Sequence, residues 1–230
     1  MRKLLAIWLG KILTIVGKTV GKKSSSSPGA YALKICPDLV KGLEKCVSKG
    51  IIVICGTNGK TTTNNLMASA LEAKGYKVIC NKLGANMLSG IATTVLQEMS
   101  IFGKLKADYA CLEIDEAYTP IVFDYVKPDV MVITNLFRDQ LDRYGEIDIT
   151  SDIIKRAIKK VPNLKLVLNG DDPLCVQFGR EENVKAYYYG ISEKVLPQLD
   201  DTKEGRFCPV CGEEQKYNYY HYSQLGDFYC

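Results

Sequence analysis

Residues 51–62 read Ile-Ile-Val-Ile-Cys-Gly-Thr-Asn-Gly-Lys-Thr-Thr. Their types and order suit polyphosphate chemistry. The apolar run Ile51–Cys55 reads as a buried strand, and a helical pattern follows from Thr61 to Lys74. Between them stands Gly56-Thr57-Asn58-Gly59-Lys60-Thr61-Thr62. Glycines let such a turn close tightly, so that successive backbone N–H groups face an anion. The helix behind adds its unpaired N–H groups and the positive end of its dipole. Lys60 then supplies a mobile charge for the β- and γ-phosphates of ATP, and the Thr61 hydroxyl stands where it could ligate Mg²⁺.

Other candidate residues also follow strand-like runs. After Tyr109–Ile114 the acidic run is Glu113-Ile114-Asp115-Glu116-Ala117. A carboxylate at the end of a strand next to the phosphate loop can hold Mg²⁺, so Glu113 is a candidate ligand; a solvated acidic loop is the alternative. After Val130–Ile133 comes Thr134-Asn135-Leu136-Phe137-Arg138-Asp139-Gln140-Leu141-Asp142, with Asn135 and Asp139 as nucleotide-side candidates; a polar loop with a capping Asp is the alternative. Leu168-Asn169-Gly170-Asp171-Asp172-Pro173 could meet the nucleotide. Equally, it could begin a helix, with Asp172 as N-cap and Pro173 at the first position. Asn86, in Lys82–Met87, is a lesser candidate.

Strand-like runs over 51–55, 77–81, 109–114, 130–136, 165–168 and 185–189 alternate with helical patterns over 61–74, 88–99, 118–125 and 149–160. That alternation predicts an α/β fold, a P-loop-containing parallel sheet with helices on both faces. In such sheets ligands bind past the carboxyl ends of the strands, where these candidates fall.

The remaining motif is Cys208-Pro209-Val210-Cys211-Gly212, with Cys230 further on. Two thiolates separated by two residues can share one tetrahedral Zn²⁺. His221 is a possible further ligand, and a redox pair is the competing reading.

Gly56-x-x-Gly59-Lys60-Thr61 is shorter than the usual phosphate loop, because Ile54 stands where the first glycine is usual. This short form resembles the ATP-binding loop of the Mur ligase family, which joins amines to carboxylates through acyl phosphates. Thr134-Asn135, then Asp139-Gln140-Leu141-Asp142 and Gly145, resembles the family's Thr-Asn and Asp-His-Leu-Asp signature. Gln140 replaces a metal-binding histidine, which puts a second Mg²⁺ in doubt. That replacement, the run Glu-Ile-Asp-Glu-Ala and the cysteine knuckle are similar to the family's MurT subgroup. The resemblance implies three segments. These are a basic amphipathic helix and linker (1–29), the first part of a central ATP-binding domain (30–204), and a truncated zinc ribbon (205–230) whose fourth cysteine lies just past Cys230. It implies ATP-dependent amidation of the D-glutamate α-carboxylate of lipid II. Ammonia would come from a GatD-type glutaminase partner, and this half alone would be inactive. Another Mur-type ligase, a folylpolyglutamate synthase-like enzyme and a non-enzymatic zinc-ribbon and P-loop module are the competing readings.

Charge is unevenly placed. The chain of 230 residues has a net charge of +4, yet Arg2, Lys3, Lys11, Lys18, Lys22 and Lys23 precede the first acid. The body is near neutral, so nothing in it suggests nucleic-acid binding. On a helix Leu5, Trp8, Ile12 and Ile15 share one face, and Lys11, Lys18 and Lys22 another. That pattern suits a helix lying on an anionic membrane. A helix packed on its own protein and a signal peptide are the competing readings. Residues 22–29 read as a flexible connector. ATP chemistry and the thiols in strand-like runs, Cys55, Cys80 and Cys111, suit the cytoplasm, and the basic helix suits the inner face of the plasma membrane.

Overall fold

The computed structural model describes residues 1–19, 25–82, 84–137, 147–181, 184–194 and 207–230. After helices α1 (Arg2–Thr19) and α2 (Ser27–Ile35), strands and helices alternate: β1 (Val47–Cys55), α3 (Lys60–Ala73), β2 (Val78–Cys80), α4 (Leu88–Glu98), β3 (Ala107–Glu113), α5 (Thr119–Tyr125), β4 (Val130–Ile133), α6 (Ile147–Lys159), β5 (Lys165–Asn169), α7 (Pro173–Val176) and β6 (Lys185–Tyr189). A hairpin, β7 (Lys216–Tyr222) and β8 (Leu225–Tyr229), closes the chain.

Strands β1–β6 form one sheet in the order β2-β3-β1-β4-β5-β6, with every pair parallel. Both faces are covered by helices, and β1 is accordingly apolar from Ile51 to Cys55, where Ile51, Val53, Ile54 and Cys55 are all buried. Parallel strands need right-handed crossovers. From β1 the chain therefore runs by α3 over one face to β2, and from β4 by α6 over the other to β5. The neighbours β1 and β4 thus send their chains in opposite directions, which opens a crevice at their carboxyl ends. Register brings the candidate residues level there, since Ile54 pairs with Glu113 and Cys55 with Ile133.

The N-terminal region differs from expectation in one respect. Residues 27–29, read as connector, form the first turn of α2, with Pro28 in that turn, where a missing N–H does no harm. The Gly29 N–H donates to Thr93 Oγ1 at 2.9 Å, so α2 is fastened to α4. Helix α1 is a helix as expected, and it packs on its own protein through Ala6, Ile7 and Gly10. A Cβ on Gly10 would lie 2.6 Å from Leu96 Cδ1, so this face is fitted closely to α4. Leu5, Trp8, Ile12, Ile15 and Val16 of the same helix face outward.

Asp172 caps α7 as the sequence suggests, accepting from the Leu174 N–H at 3.0 Å. Its other oxygen accepts from the Leu136 N–H at 2.8 Å, which ties the end of β5 to the loop after β4. Burial pushes this carboxyl up to about 6, although the two backbone N–H groups pull the other way.

Candidate active site

The loop 56–59 leaves β1 with Gly56 at φ 124° and re-enters the helix through Gly59 at φ 78°. Such values suit glycine. At Gly56 there is a second reason, because a Cβ would lie 2.3 Å from Thr134 Oγ1. The loop is held closed by the segment after β4. Asn135 accepts from the Thr57 N–H through its carbonyl and from the Asn58 N–H through Oδ1, both at 2.8 Å. Thr134 Oγ1 donates to Asn58 O at 2.8 Å, and the Phe137 N–H donates to Thr57 Oγ1 at 2.9 Å. Two amides expected to face an anion are therefore turned to Asn135. Open N–H groups lie one step on: the first intrahelical bond of α3 is Thr63 N–H to Gly59 O, which leaves Lys60, Thr61 and Thr62 at the unpaired end of the helix.

Lys60 folds back over its own loop. Its Nζ donates to Gly56 O, to Thr57 O at 3.0 Å and to Glu116 Oε1 at 3.2 Å. Both side chains of that ion pair are almost fully buried. Burial raises the Glu116 carboxyl above its ordinary value, and the Lys60 charge opposes that rise. In a solvent-poor pocket neither charge is cheaply left alone. One sign of this partnership was visible in the sequence, a second glutamate three residues after Glu113.

Thr61 and Glu113 meet as expected, with the Thr61 hydroxyl donating to Glu113 Oε2 at 2.7 Å. Glu113 is buried at the end of β3, and Asn86 Nδ2 reaches its other oxygen at 3.5 Å. A hydroxyl and a carboxylate oxygen beside a phosphate loop are hard donors of the kind Mg²⁺ prefers. What aims Glu113 is Asn81, at the end of β2, a residue sequence reasoning passed over. Asn81 accepts from the Glu113 N–H at 2.8 Å and from Asn64 Nδ2 at 3.1 Å, and donates to Glu113 O at 2.8 Å and Ala85 O at 3.0 Å. Its buried amide is fully used, and only the tertiary fold reveals that.

Thr62 lies in the first turn of α3. Asp139 and Gln140 fall outside the described residues. Asn169 donates to Thr134 O at 2.9 Å, so the Asn169–Pro173 segment braces the loop after β4. Cys208, Cys211 and Cys230 come together, with their sulfurs within 4.8 Å of one another. The Cys208 thiol is held at about 7, chiefly by the Cys211 backbone N–H. His221 is directed elsewhere, with Nε2 3.3 Å from Ile191 O.

The model of the Mur ligase middle domain matches residues 54–228. The chain belongs to the Mur ligase family. It is 38% identical over 230 residues to the MurT subunit of lipid II isoglutaminyl synthase (glutamine-hydrolysing) from Staphylococcus aureus strain COL, covering 100% of this chain and 51% of that protein. It is 38% identical over 208 residues to the same subunit from Streptococcus pneumoniae, covering 90% and 46%. It thus spans about half the length of these relatives. The fold is shared with a Thermotoga maritima MurF ligase solved with ADP, at 19% identity and a TM-score of 0.56, covering 70% of this chain and 37% of that one.

Because Lys60 is engaged by Glu116, a polyphosphate binding at this loop would have to displace that carboxylate, and its apparent affinity would fall by the fraction of loops in which Lys60 is free. Glu116→Gln is therefore expected to tighten binding of tripolyphosphate about tenfold, or ~1.4 kcal/mol, in calorimetric titration. Unchanged or weaker binding would show that Glu116 does not compete.

Proposed function

We propose that this chain is the nucleotide-binding part of a MurT-type subunit that amidates the α-carboxylate of D-glutamate in lipid II. The reading rests above all on the juxtaposition of Lys60, Thr61 and Glu113 at the phosphate loop. The MurT relatives at 38% identity support the substrate class. ATP would lay its phosphates across Gly56–Thr62, with Asn135 and Asp139 on the nucleotide side. Lys60 would leave Glu116 for the β- and γ-phosphates, and Thr61 and Glu113 would hold Mg²⁺. When bound, that ion neutralises charge as the γ-phosphoryl moves to the carboxylate. Ammonia from a GatD-type glutaminase partner then displaces phosphate from the acyl phosphate and leaves the amide. Work at this loop is positioning and charge neutralisation. The reaction belongs on the cytoplasmic side, where ATP is made.

The test uses the full-length protein with its partner, ATP, glutamine and lipid II, and reads amidated product by mass spectrometry. Lys60→Ala alone leaves Glu116 buried without a counter-charge, a loss of about 3–5 kcal/mol that could unfold the site. The double variant Lys60→Ala/Glu116→Gln is therefore measured beside it. Both are expected to lose at least about 100-fold in turnover. A double variant within a few-fold of wild type contradicts the role of Lys60, and incorporation of an amino acid instead of ammonia points to another Mur-type ligase.

We infer also that Cys208, Cys211 and Cys230 belong to a structural zinc site. Three convergent thiols fit the thiolate chemistry of such an ion. The ion would hold the knuckle against the β7–β8 hairpin. Gln224, buried in that hairpin, donates to Leu136 O at 2.8 Å, so the ribbon also steadies the loop after β4. One equivalent of zinc should be released from the purified protein by a thiol-modifying mercurial and detected with a colorimetric chelator. Cys208→Ser/Cys211→Ser should release none; a wild-type protein that carries no zinc contradicts the assignment.

A further inference from the structure

Helix α1 carries an exposed apolar stripe besides the face it packs on its own protein. A surface helix ordinarily turns its large apolar residues to the core. Here Ala6, Ile7 and Gly10 face inward, while Trp8 is 47%, Ile12 57% and Ile15 63% exposed, with Leu5 and Val16 beside them. At 100° per residue, Leu4, Leu5, Trp8, Ile12, Ile15 and Val16 lie within one arc of about 120°, opposite the buried face.

A second segment joins this stripe. The turn between α4 and β3 exposes Ile101 and Phe102, the latter by 71%. Trp8 Nε1 donates to Ile101 O at 2.9 Å, across 93 residues of sequence. Gly103 lies against Ile7 and Leu4. The patch is thus assembled by the fold from two separate pieces of chain, and Trp8 fastens them together.

Charge says what covers it. Helix α1 has no acidic residue. Lys11 and Lys18 run along one border of the stripe, Arg2 and Lys3 stand at its start, and Lys104 follows Phe102. An apolar strip edged by cations, with an indole among its large residues, matches an interface of acyl chains beneath anionic headgroups. Spanning is not at issue, because among the described residues no helix is long and apolar enough to cross a membrane.

We propose that the outer face of α1, with the Ile101–Phe102 turn, seats this chain flat on an anionic lipid bilayer. The helix lies in the plane of the interface, its apolar side chains below the headgroups and its lysines among the phosphates. The contact rests on the surface of α1 and not on the reaction. The substrate proposed above is lipid-linked, which would give the contact a use.

Trp8 is the sole tryptophan, so its fluorescence reports this patch directly. With vesicles of phosphatidylglycerol and phosphatidylcholine, the chain should sediment and its emission should move to the blue. With phosphatidylcholine alone, binding should be at least about tenfold weaker. Ile12→Ser/Ile15→Ser, which changes only exposed positions, should bind the mixed vesicles at least about tenfold more weakly, and so should Lys11→Glu/Lys18→Glu. Tripolyphosphate binding, titrated on the same samples, should stay as in wild type. Two results would overturn the proposal. One is wild-type chain that neither sediments nor shifts with the mixed vesicles. The other is a blue shift without vesicles that grows with protein concentration as the mass doubles, which would assign the face to a second copy. Loss of tripolyphosphate binding with vesicle binding intact would count against the proposed function and leave this inference standing.

Discussion

The turn after β1 buries a lysine ammonium beside the unpaired N–H groups that begin α3, and that concentration of positive charge has to be balanced where little water reaches it. In this protein the balance comes from a buried carboxylate and an amide. Glu116 faces Lys60 at 3.2 Å, and Asn135 accepts the N–H groups of Thr57 and Asn58. The loop is thereby kept closed. In the proposed function Lys60 has to change partners, and the carboxylate it would leave has a raised pKa that eases its neutralisation.

That arrangement draws on much of the fold. Asn135 can hold the loop only because β4 lies beside β1, with Cys55 level with Ile133. The segment that carries Asn135 is braced in turn by Asn169 and Asp172 at the end of β5, and by Gln224 of the hairpin. On the other side β3 brings Glu113 level with Ile54, and Asn81 from β2 fixes both its N–H and its carbonyl. Five strand ends therefore converge on one short turn. Buried networks of this kind hold a geometry firmly when every member has its partner.

Much of this was legible in the sequence for local reasons. The phosphate loop announces itself because strand, glycines, lysine and helix are contiguous, and each has its own physical signature. The alternation of apolar runs with helical patterns gave the parallel sheet, and the strand ends gave Thr61 and Glu113 as neighbours. The loss of the connector at Ser27–Gly29 has a tertiary cause: a Ser-Pro-Gly turn reads as flexible until α4 offers Thr93 as a partner. Asn81 and Glu116 were missed as partners because nothing local distinguishes a buried amide or acid from a solvated one. The outward stripe of α1 was visible as a pattern, but its union with Ile101 and Phe102 requires the fold.

The central claim is that the turn after β1 receives the phosphates of a nucleotide and that Lys60 moves to meet them. A crystal structure of the chain with Mg²⁺ and a non-hydrolysable ATP analogue tests it most directly. The account expects the phosphates between Gly56 and Thr62, Lys60 Nζ moved off Glu116 onto a β- or γ-phosphate oxygen, and the metal beside Thr61 and Glu113. An analogue bound elsewhere, or Lys60 still paired with Glu116 beneath a bound triphosphate, would contradict it.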